Sequence, residues 1–208
     1  MPQFGRRIPA DTLGRMWTML AHEQASLLNT SKLAASLSVS APTVTDYIDL
    51  LVDLLLVRRL RPYHANIGKR LVKSPKIYVR DSGLVHALLG IEDHNGLAGH
   101  PVVGASWEGM VIENLLGAAP PRTMPCFYRT AAGAEIDLIL ELPGNQELWA
   151  IEIKRGLAPT LSKGFHAARH DLNPHRSFIA YSGSERYPIA EGVEVIGVRE
   201  LTAMLAKR

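Results

Sequence analysis

Ala134-Glu135-Ile136-Asp137-Leu138-Ile139-Leu140-Glu141-Leu142 and Leu148-Trp149-Ala150-Ile151-Glu152-Ile153-Lys154 are two apolar runs separated by Pro143-Gly144-Asn145, and they read as the arms of a β-hairpin. Strand side chains alternate between faces. Ile136, Leu138 and Leu140 therefore share one face of the first arm, with Glu135 and Asp137 opposite. In the second arm Ile151 and Ile153 share a face, with Glu152 and Lys154 opposite. A half-buried strand rarely carries Glu-Ile-Lys without a reason. Paired across the hairpin, Asp137 and Glu152 are placed to hold one Mg²⁺ or Mn²⁺, because hard cations take carboxylate oxygens. Lys154 then stands near a metal-bound water, and the metal would activate that water and neutralise a phosphoryl oxygen.

The flanking sequence supplies further elements. Residues 105–116 read as a helix with Trp107, Met110, Val111, Leu115 and Leu116 apolar, and it carries Glu108 and Glu113. Residues 126–129 read as a strand before the hairpin. Residues 160–172 read as a helix, 177–181 and 193–198 as strands, and a terminal helix starts at Glu200. The order from residue 105 is helix, three strands, helix, strand.

That order, with Asp137 and then Glu152-Ile153-Lys154, resembles the PD-(D/E)XK nuclease superfamily. The resemblance implies a metal-dependent phosphodiesterase site of Glu108, Asp137, Glu152 and Lys154. Asp137 and Glu152 would bind the metal, Lys154 would assist the attacking water, and a first-helix glutamate would complete the site. Glu108 is the first choice for that glutamate and Glu113 the second. Ile136 stands where the nominal motif has proline. Arg129 has two readings, a phosphate contact or a partner for Glu135.

Upstream, residues 11–28 read as an amphipathic helix with Leu13, Met16, Trp17 and Leu20 on one face. Leu33-Ala34-Ala35-Ser36-Leu37-Ser38-Val39-Ser40-Ala41-Pro42-Thr43-Val44 follows. Leu33 and Leu37 face a core, and Ala34 suits a close helix crossing. Ser38 takes the tight turn where glycine is more usual. Ser40 caps the next helix, whose first turn tolerates Pro42. Val44, Tyr47, Ile48, Leu51, Val52 and Leu55 make its apolar stripe. This spacing resembles the helix-turn-helix family. Strands at 57–63 and 76–80, joined through Asn66-Ile67-Gly68-Lys69-Arg70, complete the order of a winged helix. The expected fold is thus α/β (α+β): a winged helix-turn-helix at 1–82, a helical connector at 83–103, and a restriction-endonuclease-like α-β-β-β-α-β domain at 104–208.

Charge separates the two halves. Residues 1–80 hold twelve Lys/Arg against five Asp/Glu, and 81–208 hold eleven against fifteen. The helix expected to read a groove carries Asp46, Asp49 and Asp53 on one face, which phosphates would repel. The following hairpin is the opposite: from residue 54 to 80 there are eight basic residues and no acidic one. Contact with DNA is therefore assigned to the wing, through Arg58, Arg59, Arg61, Lys69, Arg70 and Lys73, together with Arg129 on the nuclease-like face. A solvated hairpin, or a surface docked on another domain, fits the same residues equally well.

Other features narrow the function. No apolar run approaches the length of a membrane span, and the N-terminus lacks the apolar core of a signal peptide, so the expected location is cytoplasmic with no membrane partner. Cys126 is the single cysteine and is expected to pack. His166 and His170 lack the glutamate that a zinc helix needs and are expected to be exposed.

A closer resemblance covers most of the chain. Ser74-Pro75-Lys76-Ile77-Tyr78-Val79-Arg80-Asp81-Ser82-Gly83-Leu84, Trp107-Glu108, Tyr128-Arg129-Thr130-Ala131-Ala132-Gly133-Ala134-Glu135-Ile136-Asp137 and Ile151-Glu152-Ile153-Lys154 resemble the C-terminal region of a prokaryotic family of AAA-type ATPases. The resemblance implies an ATPase domain as partner. The chain contains no G-x-x-x-x-G-K-[ST] loop, so it carries no ATP site and no ATPase activity is expected of it alone. Three functional classes remain: a metal-dependent nuclease, a non-catalytic module that recognises nucleic acid or protein for an ATPase, and a plain salt-bridge network among Glu135, Asp137, Glu152, Lys154 and Arg129.

Overall fold

The computed structural model describes residues 9–64, 69–144 and 147–208. The expected loop residues Asn66, Ile67 and Gly68 and the turn residue Asn145 lie outside them. The fold is mixed α/β. The described helices are α1 (Ala10–His22), α2 (Thr30–Leu37), α3 (Ala41–Asp53), α4 (Ser82–Leu88), α5 (His94–Gly99), α6 (Val103–Ala118), α7 (Lys163–Leu172) and α8 (Val198–Leu205). The strands are β1 (Ser26–Leu27), β2 (Val57–Pro62), β3 (Lys76–Val79), β4 (Met124–Arg129), β5 (Glu135–Glu141), β6 (Leu148–Lys154), β7 (Arg176–Tyr181), β8 (Tyr187–Ala190) and β9 (Val193–Gly197). They form one sheet in the order β1-β3-β2-β4-β5-β6-β7-β9-β8.

Local chemistry explains many of the boundaries. Asn29, Ser40, Asp81 and Ser162 each accept a backbone N–H and start α2, α3, α4 and α7. Ser38 ends α2 in the left-handed conformation, at φ 55° and ψ 42°. The first helix stops at His22 instead of continuing to 28. Ala25 turns at φ 61°, and Ser26 and Leu27 then pair with β3. Leu55 leaves the apolar stripe expected of α3: that helix ends at Asp53, and Leu55 turns at φ 60° with 68% of its surface exposed. The strand β8 is short and half-exposed and gives little periodic signal.

The sheet has an apolar cover on each side. Val111, Ile112 and Leu115 of α6, with Leu201 and Leu205 of α8, pack on Leu60, Tyr78, Phe127, Leu138, Leu140, Trp149, Ile151 and Ile153. Phe165 and Ala168 of α7 pack on the opposite face against Tyr128, Ile136, Ile139 and Ala150. At the β3 end, α1, α2 and α3 close over Val57, Ile77 and Val79. Strand β3 is thus a wall between two cores. Ile77 and Val79 face the first three helices, while Tyr78 faces α6. Strand β2 links the N-terminal hairpin to the rest, since Arg61 and Pro62 run parallel to Cys126 and Phe127.

One expectation about the central hairpin is corrected. Ile136 does not share a face with Leu138 and Leu140: it packs on the α7 side and they pack on the α6 side. The pairing of β4 with β5 explains this. Tyr128 lies opposite Ile136 and Cys126 opposite Ile139, so β5 spends three steps where β4 spends two. The extra residue is a β-bulge, which re-phases the strand at Asp137.

Candidate functional site

The bulge sets the position of Asp137. The β5–β6 ladder runs from Glu141↔Leu148 to Leu138↔Ile151 and stops there. Where the next rung would fall, the Ile153 N–H donates to Oδ2 of Asp137 at 2.9 Å. The other carboxylate oxygen of Asp137 lies 3.7 Å from Nζ of Lys76. A side chain thus replaces a backbone acceptor, and the carboxylate is fixed at both ends.

Lys76 is the centre of the cluster. Its Nζ lies 3.2 Å from Glu108, 3.0 Å from Glu135 and 3.7 Å from Asp137, and only 4% of the residue is exposed. Tyr78, two residues on and on the same face of β3, donates its hydroxyl to Glu108 at 2.6 Å. The ammonium also stands 5.6 Å from the ring centre of Phe127. Glu152 has a different partner, Nζ of Lys154 at 2.7 Å. Arg129 lies 3.7 Å from Glu135. Of its two readings, the pair with Glu135 is the one seen.

Burial and neighbouring charge set the proton affinities. Burial, then the charge of Asp137, raises Glu108 to about 6, partly countered by Lys76 and Tyr78. Burial and Asp137 raise Glu152 to about 7, against the opposing effect of Lys154. Burial disfavours the charge on Lys76, but Glu108, Asp137 and Glu135 outweigh it, and its pKa lies above the ordinary lysine value. Glu108, Asp137, Glu152 and Lys154 therefore share one electrostatic neighbourhood.

These residues do not fit a resident metal ion as they stand. Among the described residues no group of three or more His, Cys, Asp or Glu side chains is set to hold one. A lysine ammonium lies where three of the carboxylates meet, and Glu152 bonds a second ammonium. Asp137, expected to share one cation with Glu152, lies beside Lys76, and Glu152 lies beside Lys154. A buried charge needs such partners, since an unpaired one costs several kcal/mol.

Sequence reading passed over Lys76 and Tyr78, placing Lys76 among the basic residues of the wing. The signal was the alternation Lys76-Ile77-Tyr78-Val79, which sets Lys76 and Tyr78 on one face of a strand that is buried on both.

The basic stretch is largely spoken for as well. Alternation turns Arg58 toward α6 and Arg59 toward α3. Arg58 pairs with Glu113, its Nη2 donating at 3.0 Å, and Nε of Arg80 donates to the same carboxylate at 2.8 Å. Glu113, the second choice for the nuclease-like site, is thus a structural anchor. Arg59 pairs with Asp49, one of the three acidic residues of α3. Lys69 bonds Asp171 at 2.5 Å. Arg61, Arg70 and Lys73 are exposed, and among the described residues no carboxylate lies within ion-pair distance of them. His166 and His170 are exposed, and Cys126 is half-buried with its thiol raised to about 11 by burial and Glu141.

A cleft of about 680 Å³ lies between α4, α5 and α6 and the segment after β6. Trp107 and Arg155, the sequence neighbours of Glu108 and Lys154, line it, along with His86, Ser106 and Ser182. Nε2 of His86 and the Ser106 hydroxyl lie 2.8 Å apart. Among the described residues no helix is long and apolar enough to cross a membrane.

Comparison with known proteins gives relatives without an assigned activity. Uncharacterized proteins of Mycobacterium tuberculosis and Mycobacterium bovis are each 45% identical over 196 residues, 94% of this chain. The chain spans 44% of the length of each. A crystal structure of a MepR mutant from a multidrug resistant S. aureus clinical isolate overlaps 42% of this chain and 61% of that one, at 22% identity and a TM-score of 0.29. Residues 1–95 match the family model for the domain of unknown function DUF8612, and residues 103–201 match that for the domain of unknown function DUF4143.

Proposed function

We propose that this chain is a winged helix-turn-helix joined to a PD-(D/E)XK-derived domain, and that it serves an AAA-type ATPase as a nucleic-acid-binding module without cutting activity of its own. The observation that carries this reading is Lys76, whose buried ammonium stands among Glu108, Glu135 and Asp137, two of them residues of the expected nuclease site. Several features support the ancestry. From α6 onward the order is helix, β4, β5, β6, α7, β7, with β4, β5 and β6 antiparallel and β7 parallel to β6. Helices α2 and α3 meet through the three residues Ser38, Val39 and Ser40 and lead into the β2–β3 hairpin, which supports the winged-helix reading. The ATPase partner rests on the sequence resemblance, and the greater length of the curated relatives leaves room for such a domain.

Binding to DNA is assigned to Arg61, Arg70 and Lys73, with Lys69 beside them. These cations would contact phosphates and carry no sequence code. The test is fluorescence anisotropy on duplex DNA at two salt concentrations, paired with a cleavage assay on plasmid, linear and single-stranded DNA in Mg²⁺ or Mn²⁺. Salt-sensitive binding that Arg61→Glu and Arg70→Glu weaken, with no cutting, is the expected result. Metal-dependent cutting lost in Asp137→Ala and Lys154→Ala would overturn the non-catalytic reading in favour of a nuclease. No binding to any nucleic acid would leave a protein-docking module.

A further inference from the structure

We propose that Lys76 is the resident cation of the carboxylate cluster, a side chain that takes the place of a divalent metal and keeps one from entering. The inference rests on reading the domain as nuclease-derived, and goes beyond it by naming what fills the site and what would reopen it. An ammonium has three N–H donors, and Lys76 has three carboxylate neighbours, at 3.0, 3.2 and 3.7 Å. Those distances suit a nitrogen cation. Mg²⁺ and Mn²⁺ want oxygens near 2.0–2.2 Å, about an ångström closer. The cation is also tethered. Lys76 is the first residue of β3, held between two strands, with Leu60 of β2 opposite it on one side and Leu27 of β1 on the other. Its stem is buried, and the neighbouring Tyr78 hydroxyl holds Glu108 toward it. An incoming divalent ion would meet a fixed like charge at the point where Glu108, Glu135 and Asp137 converge.

The remaining charges sharpen the argument. Glu135 also faces Arg129, Glu152 faces Lys154, and the second oxygen of Asp137 accepts the Ile153 N–H. Each carboxylate of the cluster already has a donor from the protein. Removing Lys76 alone would leave Glu108 and Asp137, both largely buried, short of a cation, and a divalent ion is the replacement their oxygens favour.

Two measurements test this. The first uses the wild-type chain: amine-reactive labelling followed by mass spectrometry. Lys76 should label at least about tenfold more slowly than the exposed Lys73, since a paired, buried ammonium is a poor nucleophile. Labelling of both at one rate would overturn the proposal. The second is calorimetric titration with Mn²⁺ of wild type, Lys76→Met and Lys76→Met/Asp137→Asn. Methionine keeps the unbranched stem and removes the charge. Lys76→Met should bind Mn²⁺ at least about tenfold more tightly than wild type and melt at a higher temperature in its presence, with both gains lost in the double variant. Wild type that binds Mn²⁺ as tightly as Lys76→Met sinks the idea. So does a folded Lys76→Met with no gain. If Lys76→Met does not fold, the labelling result on wild type decides. The functional reading fails separately, through DNA cleavage by the wild-type chain. A wild type that binds DNA and does not cut, beside a folded Lys76→Met that is blind to Mn²⁺, would retain the module and discard the resident cation.

Discussion

Ser38 sits in the left-handed region, where a side chain costs about 1–2 kcal/mol, and it does so to turn the chain from α2 into α3. Glycine removes that strain but loosens the unfolded chain. Ser38→Gly is therefore expected to raise stability by about 0.5–1 kcal/mol, read as a higher urea midpoint at unchanged slope; a lower midpoint would show that the serine is held by something other than the turn. Glu108 and Glu152 give a second residue-scale prediction. Both carboxyls are raised from 4.5, to about 6 and about 7, so the folded state keeps protons that the unfolded state has released. Their contribution to stability is full below about pH 4.5 and is lost as pH rises through 6 and 7. Glu152→Gln, which cannot ionise, should flatten the fall in stability between pH 5 and pH 8. Urea titrations at those two pH values check it, and parallel curves for wild type and variant would contradict it.

At the scale of elements, the approach of α6 to β3 decides whether the cluster can form. Gly109 follows Glu108, and a Cβ there would stand 2.6 Å from the Gln24 amide and 3.3 Å from the Tyr78 ring. Gln24 cannot easily yield, because its side chain bonds both the N–H and the C=O of Val79 like an extra strand residue. Gly109→Ala should cost about 1–3 kcal/mol by overpacking and should pull Glu108 away from Tyr78. Thermal melts read the first effect. Faster amine labelling of Lys76 reads the second, and an unshifted melt would mean that the helix has room to spare. Glu113, one turn further along α6, ties β2 and β3 to the helix through Arg58 and Arg80. Glu113→Ala leaves two partly buried guanidinium groups without their acceptor and should cost about 1–3 kcal/mol.

Across the whole molecule, the sheet is continuous from β1 to β8, and Leu60 and Tyr78 belong to the same apolar cluster as α6 and β6. The cluster around Lys76 draws one member from β3, one from α6 and two from β5. The N-terminal hairpin and the C-terminal strands should therefore unfold together, in one transition seen alike by far-ultraviolet circular dichroism and by tryptophan fluorescence. Two separated transitions would show that residues before and after the 83–103 segment are independent units.

The sequence by itself determined what is local. Period-two and helical spacing placed β4 to β7 and α6, and Ser40 marked a helix start, because both are set by neighbours a few residues apart. Alternation set Glu152 beside Lys154 on one strand face, and the family resemblance joined Asp137 and Glu108 to them. Tertiary structure decided which cation those carboxylates hold. The β5 bulge moves Ile136 off the face of Leu138, and it exists because of how β5 pairs with β4, a register no single strand encodes. Lys76 and Glu108 are 32 residues apart, and their contact follows from packing β3 beneath α6. Arg58, Arg59 and Arg80, legible only as positive charge, became ion pairs for the same reason. A charge states its own preference for a partner, and only the fold brings that partner within reach.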